Sequence, residues 1–265
     1  MHSFDTIIIG AGPAGLSCAA LLARQGRSVL VLEKNREIGP KVCAGGITWS
    51  GLREAIPESL VERRFQEQRI FSRLQRVTIK AAVPMVVTVD RGRLGRWMRD
   101  QAATAGAEIR SGCRVEAIGA ATVATTAGEF GYTHLVGADG SNSLVRRHLD
   151  LPRQRVGIGL QFWLEKTLPD MEWHIDAGRF AGGYAWIFPH GRRSSVGIYA
   201  GRGLLQPREL RARLLGWAQE RGLSLKGLQP EAYLINYDYR GSRFGKVHLV
   251  GDAAGLASPL TGEGI

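Results

Sequence analysis

"IIIGAGPAGLSCAALLARQGRSVLVLEK", residues 7–34, decides the first part of the fold. "FDTIII" (4–9) is a β-branched run that reads as a buried strand. "AGLSCAALLARQ" (14–25) has helical composition and stops at Gly26, and "SVLVL" (28–32) is a second buried strand. Strand, turn, helix and strand within about 30 residues make a βαβ unit of a parallel sheet. The turn is Gly10-Ala11-Gly12-Pro13-Ala14-Gly15, a G-x-G-x-x-G that follows a strand and opens a helix. In that setting the pattern is specific. Its first glycine permits the tight turn, the second lets a pyrophosphate approach the backbone, and the third allows close strand–helix packing. The helix N-terminus supplies free N–H groups and a partial positive charge. Glu33 closes the second strand, 18 residues after Gly15, where a carboxylate can accept both hydroxyls of an adenosine ribose.

Further along, residues 50–70 are charged and predict a helix, and 74–90 alternate in part and predict strands of a different sheet. "RLGRWMRDQAATAG" (93–106) returns to helix, and 107–136 hold short strands that end in the apolar "HLVGAD". From 156 to 201 four segments look like strands joined by hairpin-like turns, an antiparallel sheet. "PRELRARLLGWAQER" (207–221) is an amphipathic helix opened by Pro207. Its stripe of Leu210, Leu214, Trp217 and Ala218 suits packing on the protein's own sheet better than lying on a membrane. "KVHLVGDAAG" (246–255) is another buried strand running into a turn. The fold class is therefore α/β: a parallel-sheet domain assembled from separated segments, with an antiparallel domain inserted between them.

Composition bounds the function. The 265 residues are 44% apolar, enough for a real core. The net charge of +11, from 35 basic and 24 acidic residues, suits phosphates, anionic substrates or an anionic membrane surface. No dense basic run with interleaved aromatics and no zinc-finger spacing points to nucleic acid. Cys18, Cys43 and Cys113 are too widely spaced for a disulfide framework or zinc site, so a reducing cytoplasm is expected and no metal. "MHSFDTIIIG" does not read as a signal peptide. The apolar tract 6–23 is broken by Gly10, Gly12, Pro13 and Gly15 and does not read as a transmembrane span.

The fingerprint alone does not separate NAD from FAD, but "GADGSNSLVRR" (137–147) and "VGDAAG" (250–255) do. With them the chain resembles the FAD-dependent flavoproteins with the fold of aromatic hydroxylases. The resemblance implies that Asp139 and Gly140 support the dinucleotide site and that Gly251 and Asp252 bind the ribityl chain. It also implies that Arg91, in "VDRGRLGRWM", sits near the pyrophosphate. Lys34 and Val115 complete the expected FAD contacts. On this reading 1–72, 91–150 and 241–265 build the FAD-binding Rossmann-like domain. Residues 73–90 and 151–240 build the substrate domain.

Three segments carry a narrower resemblance, to the geranylgeranyl reductase family. They are "KVCAGGI" (41–47), "GGYAWIFP" (182–189) and "GDAAGLASPLTGEGI" (251–265). In that family a proline often stands three residues before the tyrosine of the aromatic motif; here the position is Ala181. Tyr184, Trp186 and Phe188 alternate, so they share one strand face and can wall an apolar pocket. Cys43 is the candidate proton donor or modulator beside the flavin. The N–H groups from Gly262 through Gly264 to Ile265 are expected to face the flavin, as a helix N-terminus would. Because the stretch reads as the start of a helix, a longer natural chain is expected.

The resemblance implies an FAD-dependent oxidoreductase that reduces carbon–carbon double bonds of an isoprenoid such as a geranylgeranyl lipid, prenyl diphosphate or prenylquinone. NAD(P)H or a small electron carrier would be its reductant, and the protein would be cytoplasmic, peripheral at the inner membrane face. Two alternatives share these features. One is a flavin-dependent monooxygenase or halogenase, a group in which the halogenases carry Trp where Tyr184 stands. The other is a truncated, non-catalytic FAD-binding module.

Overall fold

The computed structural model describes residues 2–49, 56–152, 155–201 and 206–264. In chain order the elements are β1 (His2–Ile9), α1 (Pro13–Arg24), β2 (Val29–Leu32), β3 (Gly46–Thr48), a 3-10 turn (Glu58–Leu60), β4 (Val61–Phe65), β5 (Glu67–Ser72), β6 (Arg76–Lys80), β7 (Val86–Val89) and α2 (Arg91–Thr104). Next come β8 (Glu108–Arg110), β9 (Val115–Ile118), β10 (Thr122–Thr125), β11 (Gly128–Gly137), α3 (Leu144–His148), β12 (Val156–Leu164), β13 (Glu172–Ile175), α4 (Ala177–Phe180) and β14 (Tyr184–Pro189). The described part closes with β15 (Ser194–Gly201), α5 (Pro207–Glu220), β16 (Glu231–Asn236), β17 (Arg243–Phe244), β18 (Val247–Leu249) and α6 (Gly251–Ala254).

The first sheet runs β17-β18-β11-β1-β2-β8, with β10 and β9 branching from β11. β18, β11, β1, β2 and β8 are parallel. Ile7 to Ile9 and Val29 to Leu32 are all buried, as strands covered on both faces require. Leu16, Ala19, Ala20 and Ala23 of α1 cover one face through Ile8, Val31 and Val136. Ile7, Ile9, Leu30 and Leu32 pack in a second core with Phe130, Tyr132, Val123 and Val145.

Strand register then places the motifs. Ile9 is level with Leu32 and with Gly137, and Gly137 with Leu249. These four residues form one row at the carboxyl edge of the sheet. The segments that follow them, beginning at Gly10, Glu33, Ala138 and Val250, therefore emerge side by side. This is where open parallel sheets bind ligands.

The second sheet runs β16-β12-β15-β14-β13-β5-β6 and is antiparallel except between β13 and β5. α5 lies on one face, with Leu210, Leu214, Trp217 and Ala218 against Phe162, Ile187, Val196 and Ile198. The apolar stripe of that helix thus packs on its own sheet. β3-β7-β4 form a third, small sheet around Ile47, Val87 and Val89.

The helix expected over 50–70 is not found: residues 50–55 lie outside the described residues, and the rest form the 3-10 turn, β4 and β5. β4 pairs with β7, and β5 with β6 and β13. Pairing with strands distant in sequence overrides local composition. Residues 61–72, grouped above with the FAD-binding segments, accordingly join the other two sheets. β6 and β7, grouped together in 73–90, enter different sheets. Among the described residues no helix is long and apolar enough to cross a membrane.

Candidate functional site

A groove of ≈ 570 Å³ follows the carboxyl edge of the parallel sheet. Gly10 has φ +105°, and a Cβ there would lie 2.4 Å from the Ala138 carbonyl oxygen. A Cβ on Gly15 would lie 2.1 Å from the Gly10 carbonyl oxygen, so the helix meets the strand too closely for any side chain. Gly12 differs: a Cβ there meets nothing within 4 Å and would project into open space at the groove. Protein packing gives no reason for that glycine, whereas close approach of a ligand does. Pro13 opens α1, Gly12 is its N-cap, no side chain caps the helix, and its first turn holds no acidic residue. Its terminal N–H groups are left for a ligand. Ala14 instead backs the turn, with its Cβ 2.8 Å from where a Cβ on Gly251 would stand.

Glu33, Lys34, Val115, Asp139 and Gly140 all border this groove. Glu33 Oε2 accepts the Ala11 N–H at 2.9 Å and Oε1 the Asn35 N–H at 2.9 Å, which fixes the carboxylate while each oxygen keeps a further lone pair. Asp139 Oδ2 accepts from the Leu144 and Val145 N–H groups at 2.6 and 3.3 Å. Burial pushes this carboxyl up, against the lowering effect of those hydrogen bonds.

A second cavity, of ≈ 320 Å³, adjoins the groove. Lys41, Val42, Arg91 and Tyr233 border both. Arg91 opens α2 with its side chain buried, and its Nε and Nη1 have no hydrogen-bond partner among the described residues. Lys41 Nζ pairs with Asp252 Oδ2 at 3.2 Å and sits 5.0 Å from the Tyr233 ring centroid. Asp252 is held further by Ser141 Oγ at 3.2 Å, and its carbonyl accepts from Asn236 Nδ2 at 2.8 Å.

The cavity wall is the uncovered face of the second sheet. Tyr184, Trp186 and Phe188 of β14 all line it, together with Trp173, Tyr199 and Cys43. Register aligns Trp173, Trp186, Gly197, Gln161 and Glu231 in one row across five strands, and Tyr184, Tyr199, Gly159 and Tyr233 in the next. The Trp186 indole fills the space over Gly197, where a Cβ would lie 2.2 Å from the ring. Burial pushes the Tyr184 hydroxyl far above its usual range and that of Tyr199 up to about 12, so both stay neutral. Ala181, which stands where the family often has proline, has φ +51°. Proline is locked near −65°, so this turn cannot take one.

The tail covers the cavity. Tyr184 donates to the Thr261 carbonyl at 2.5 Å, Tyr199 to the Pro259 carbonyl at 3.1 Å, and Thr48 Oγ1 to Glu263 Oε1 at 3.1 Å. Gly262 and Gly264 line the cavity. The expected free amides are not all there. The Gly262 N–H donates to Ser258 O at 2.9 Å and the Glu263 N–H to Thr261 Oγ1 at 3.3 Å. A local turn has taken them, one through the Ser258 backbone carbonyl and one through the Thr261 hydroxyl. Ile265 lies outside the described residues.

Residues 3–171 match the family described as "FAD binding domain". The chain is 30% identical to the geranylgeranyl diphosphate reductase of Rhodobacter capsulatus, an alignment covering 99% of this chain and 71% of that protein. The chain belongs to the geranylgeranyl reductase family of FAD-dependent oxidoreductases. A second member of this family, digeranylgeranylglycerophospholipid reductase 2 of Methanopyrus kandleri, is 29% identical over 99% of this chain and 73% of its own length. The geranylgeranyl bacteriochlorophyll reductase-like protein of Thermoplasma acidophilum has the same fold, with a TM-score of 0.87, 22% identity, and coverage of 100% of this chain and 74% of that one. The family's cofactor, FAD, fits these residues. Among the described residues the buried Arg91 has two nitrogens without acceptors, Gly12 faces open space, and no side chain caps the α1 N-terminus.

Sequence reasoning did not assign Lys41 at the junction, although it opens the "KVCAGGI" segment, and missed Tyr233 there and Gln161, Trp173 and Tyr199 in the wall, which no motif marks. The period-2 pattern of β12, β15 and β16 would have placed several on the inner face once strand pairing was known.

Proposed function

We propose that this protein reduces carbon–carbon double bonds of an isoprenoid chain, in a geranylgeranyl lipid, a prenyl diphosphate or a prenylquinone. The observation that carries the reading is the junction at Lys41, Arg91 and Tyr233, where a nucleotide-sized groove opens into a cavity walled by aromatic rings. The names of the Rhodobacter and Methanopyrus relatives support the same substrate class.

In this reading Gly12, the α1 N-terminus and Arg91 hold the FAD diphosphate, Glu33 the adenosine ribose and Asp252 the ribityl chain. Asp139 anchors the supporting turn before α3. When bound and reduced, FAD supplies the hydride for the alkene, and NAD(P)H or a small electron carrier restores it. Tyr184, Trp186 and Phe188 offer large apolar faces to the prenyl chain and exclude water. Cys43 accepts the Gly45 N–H at its sulfur, 3.4 Å away, which leaves its own S–H able to deliver the proton the second alkene carbon needs.

The test is anaerobic. FAD-loaded protein is reduced with dithionite and mixed with geranylgeranyl lipids, prenyl diphosphates or prenylquinones. Return of the oxidised-flavin absorbance, with a product heavier by two hydrogens per reduced bond, supports the reading. Failure with every isoprenoid, alongside oxygen-dependent conversion of an aromatic compound, replaces it with a monooxygenase or halogenase.

A further inference from the structure

The segment Lys41–Gly45 brings Cys43 and Ala44 to the cavity wall without regular secondary structure of its own. Two of its carbonyls are taken by side chains reaching across from the second sheet. Gln161 Nε2 donates to the Cys43 carbonyl at 3.2 Å, and His190 Nε2 lies 2.9 Å from the Ala44 carbonyl. Both side chains are buried, and each is backed by a carboxylate. Glu231 Oε2 is 2.8 Å from Gln161 Nε2, and Glu62 Oε2 is 2.6 Å from His190 Nδ1. Trp163 joins the two arms: its Nε1 donates to the same Glu231 oxygen at 3.1 Å, and its ring meets His190 edge-on at 5.0 Å. Gly45 presses on the imidazole, since a Cβ there would lie 2.5 Å from His190 Cε1.

We propose that Glu231–Gln161 and Glu62–His190 form a paired clamp that positions the Cys43–Ala44 segment of the cavity wall, and that the His190 arm holds only while it keeps one shared proton. A carbonyl oxygen only accepts, so His190 Nε2 carries a hydrogen. Nδ1 and the Glu62 carboxylate need one more proton between them, on the ring or on the oxygen. Losing it leaves a ring lone pair facing either the Glu62 carboxylate at 2.6 Å or the Ala44 carbonyl at 2.9 Å, and the arm loosens. The other charged groups around the ring are Arg193, stacked 3.8 Å from the Trp163 centroid, Asp90, paired with Arg193 at 3.7 Å, and Glu231 against the Trp163 Nε1. His190, Gln161, Glu62 and Glu231 are positioning residues: they act through the segment they hold.

Glu62→Gln separates the two parts of this inference. An amide can donate to a neutral Nδ1 while Nε2–H still holds Ala44, so the clamp persists and its proton dependence disappears. The experiment is hydrogen–deuterium exchange of the peptide 41–48 in the FAD-loaded protein, corrected for intrinsic exchange, from about pH 6 to about pH 10. Wild type is expected to lose about tenfold in protection toward the alkaline end, and Glu62→Gln to stay flat and protected. His190→Leu is expected to exchange about tenfold faster throughout. Superimposed wild-type and Glu62→Gln profiles overturn the proton-held arm, and that comparison decides alone if His190→Leu does not fold. A folded His190→Leu with wild-type exchange overturns the clamp. The bearing on turnover rests on the reductase reading, where the alkaline fall in kcat is expected to vanish in Glu62→Gln. Exchange needs no turnover, so a missing clamp and a missing reductase activity give different results.

Discussion

Replacing Arg91 by methionine should move FAD binding and apoprotein stability in opposite directions. Arg91 is 8% exposed, borders both groove and cavity, and has two guanidinium nitrogens without acceptors among the described residues. Hydrogen bonds to charged groups are each worth about 1.5–3 kcal/mol, so losing two from the complex costs roughly 3–6 kcal/mol. That raises the Kd for FAD by roughly 10²–10⁴. In the apoprotein the same side chain is a buried cation with unsatisfied donors, at a cost of about 1–3 kcal/mol that the thioether does not incur. Apo Arg91→Met should therefore melt at or above the wild-type temperature. Quenching of flavin fluorescence on titration gives the first quantity and thermal melts of stripped protein the second. Wild-type FAD affinity in Arg91→Met would refute the assignment of this residue to the diphosphate.

The two fingerprint glycines should fail differently: Gly12→Val keeps the apo melting temperature but weakens FAD binding at least about tenfold, whereas Gly15→Ala costs about 1–3 kcal/mol of stability in denaturant melts. Trp186→Phe removes the donor to Ser195 Oγ, 2.8 Å away, and should cost about 1–2 kcal/mol in the same melts while raising KM for the prenyl substrate. The Asp139 carboxyl is raised by burial, so its contribution favours the folded apoprotein below the ordinary carboxylate range and is lost as pH rises through the raised folded value. Asp139→Asn should accordingly raise apo stability at neutral pH and flatten its fall across that window, as melts at a series of pH values would read.

The parallel half of the fold was legible because its signals are local: β-branched runs bounded by glycines, each followed within a few residues by its motif. Gly10, Glu33, Asp139 and Asp252 could be gathered into one site because parallel strands in register align their ends. β4 and β5 were not legible, since β7 and β13, which pair with them, lie 20 to 100 residues on, and local charge suggested a helix although β6, the other partner of β5, follows it directly. The face shared by Tyr184, Trp186 and Phe188 followed from strand periodicity alone. Tyr199 and Tyr233, which complete it, depend on register across β15, β12 and β16. The Gly262 and Glu263 amides were misread because Ser258 and Thr261 claim them in a turn that composition does not announce.

A crystal structure of this chain soaked with FAD puts the account to its most direct trial. It should show the diphosphate against Gly12 and Arg91, the ribose hydroxyls on Glu33 and the ring end entering the cavity beside Lys41. FAD bound elsewhere, or a cavity sealed from the groove with the nucleotide in place, would contradict the claim that groove and cavity are one site.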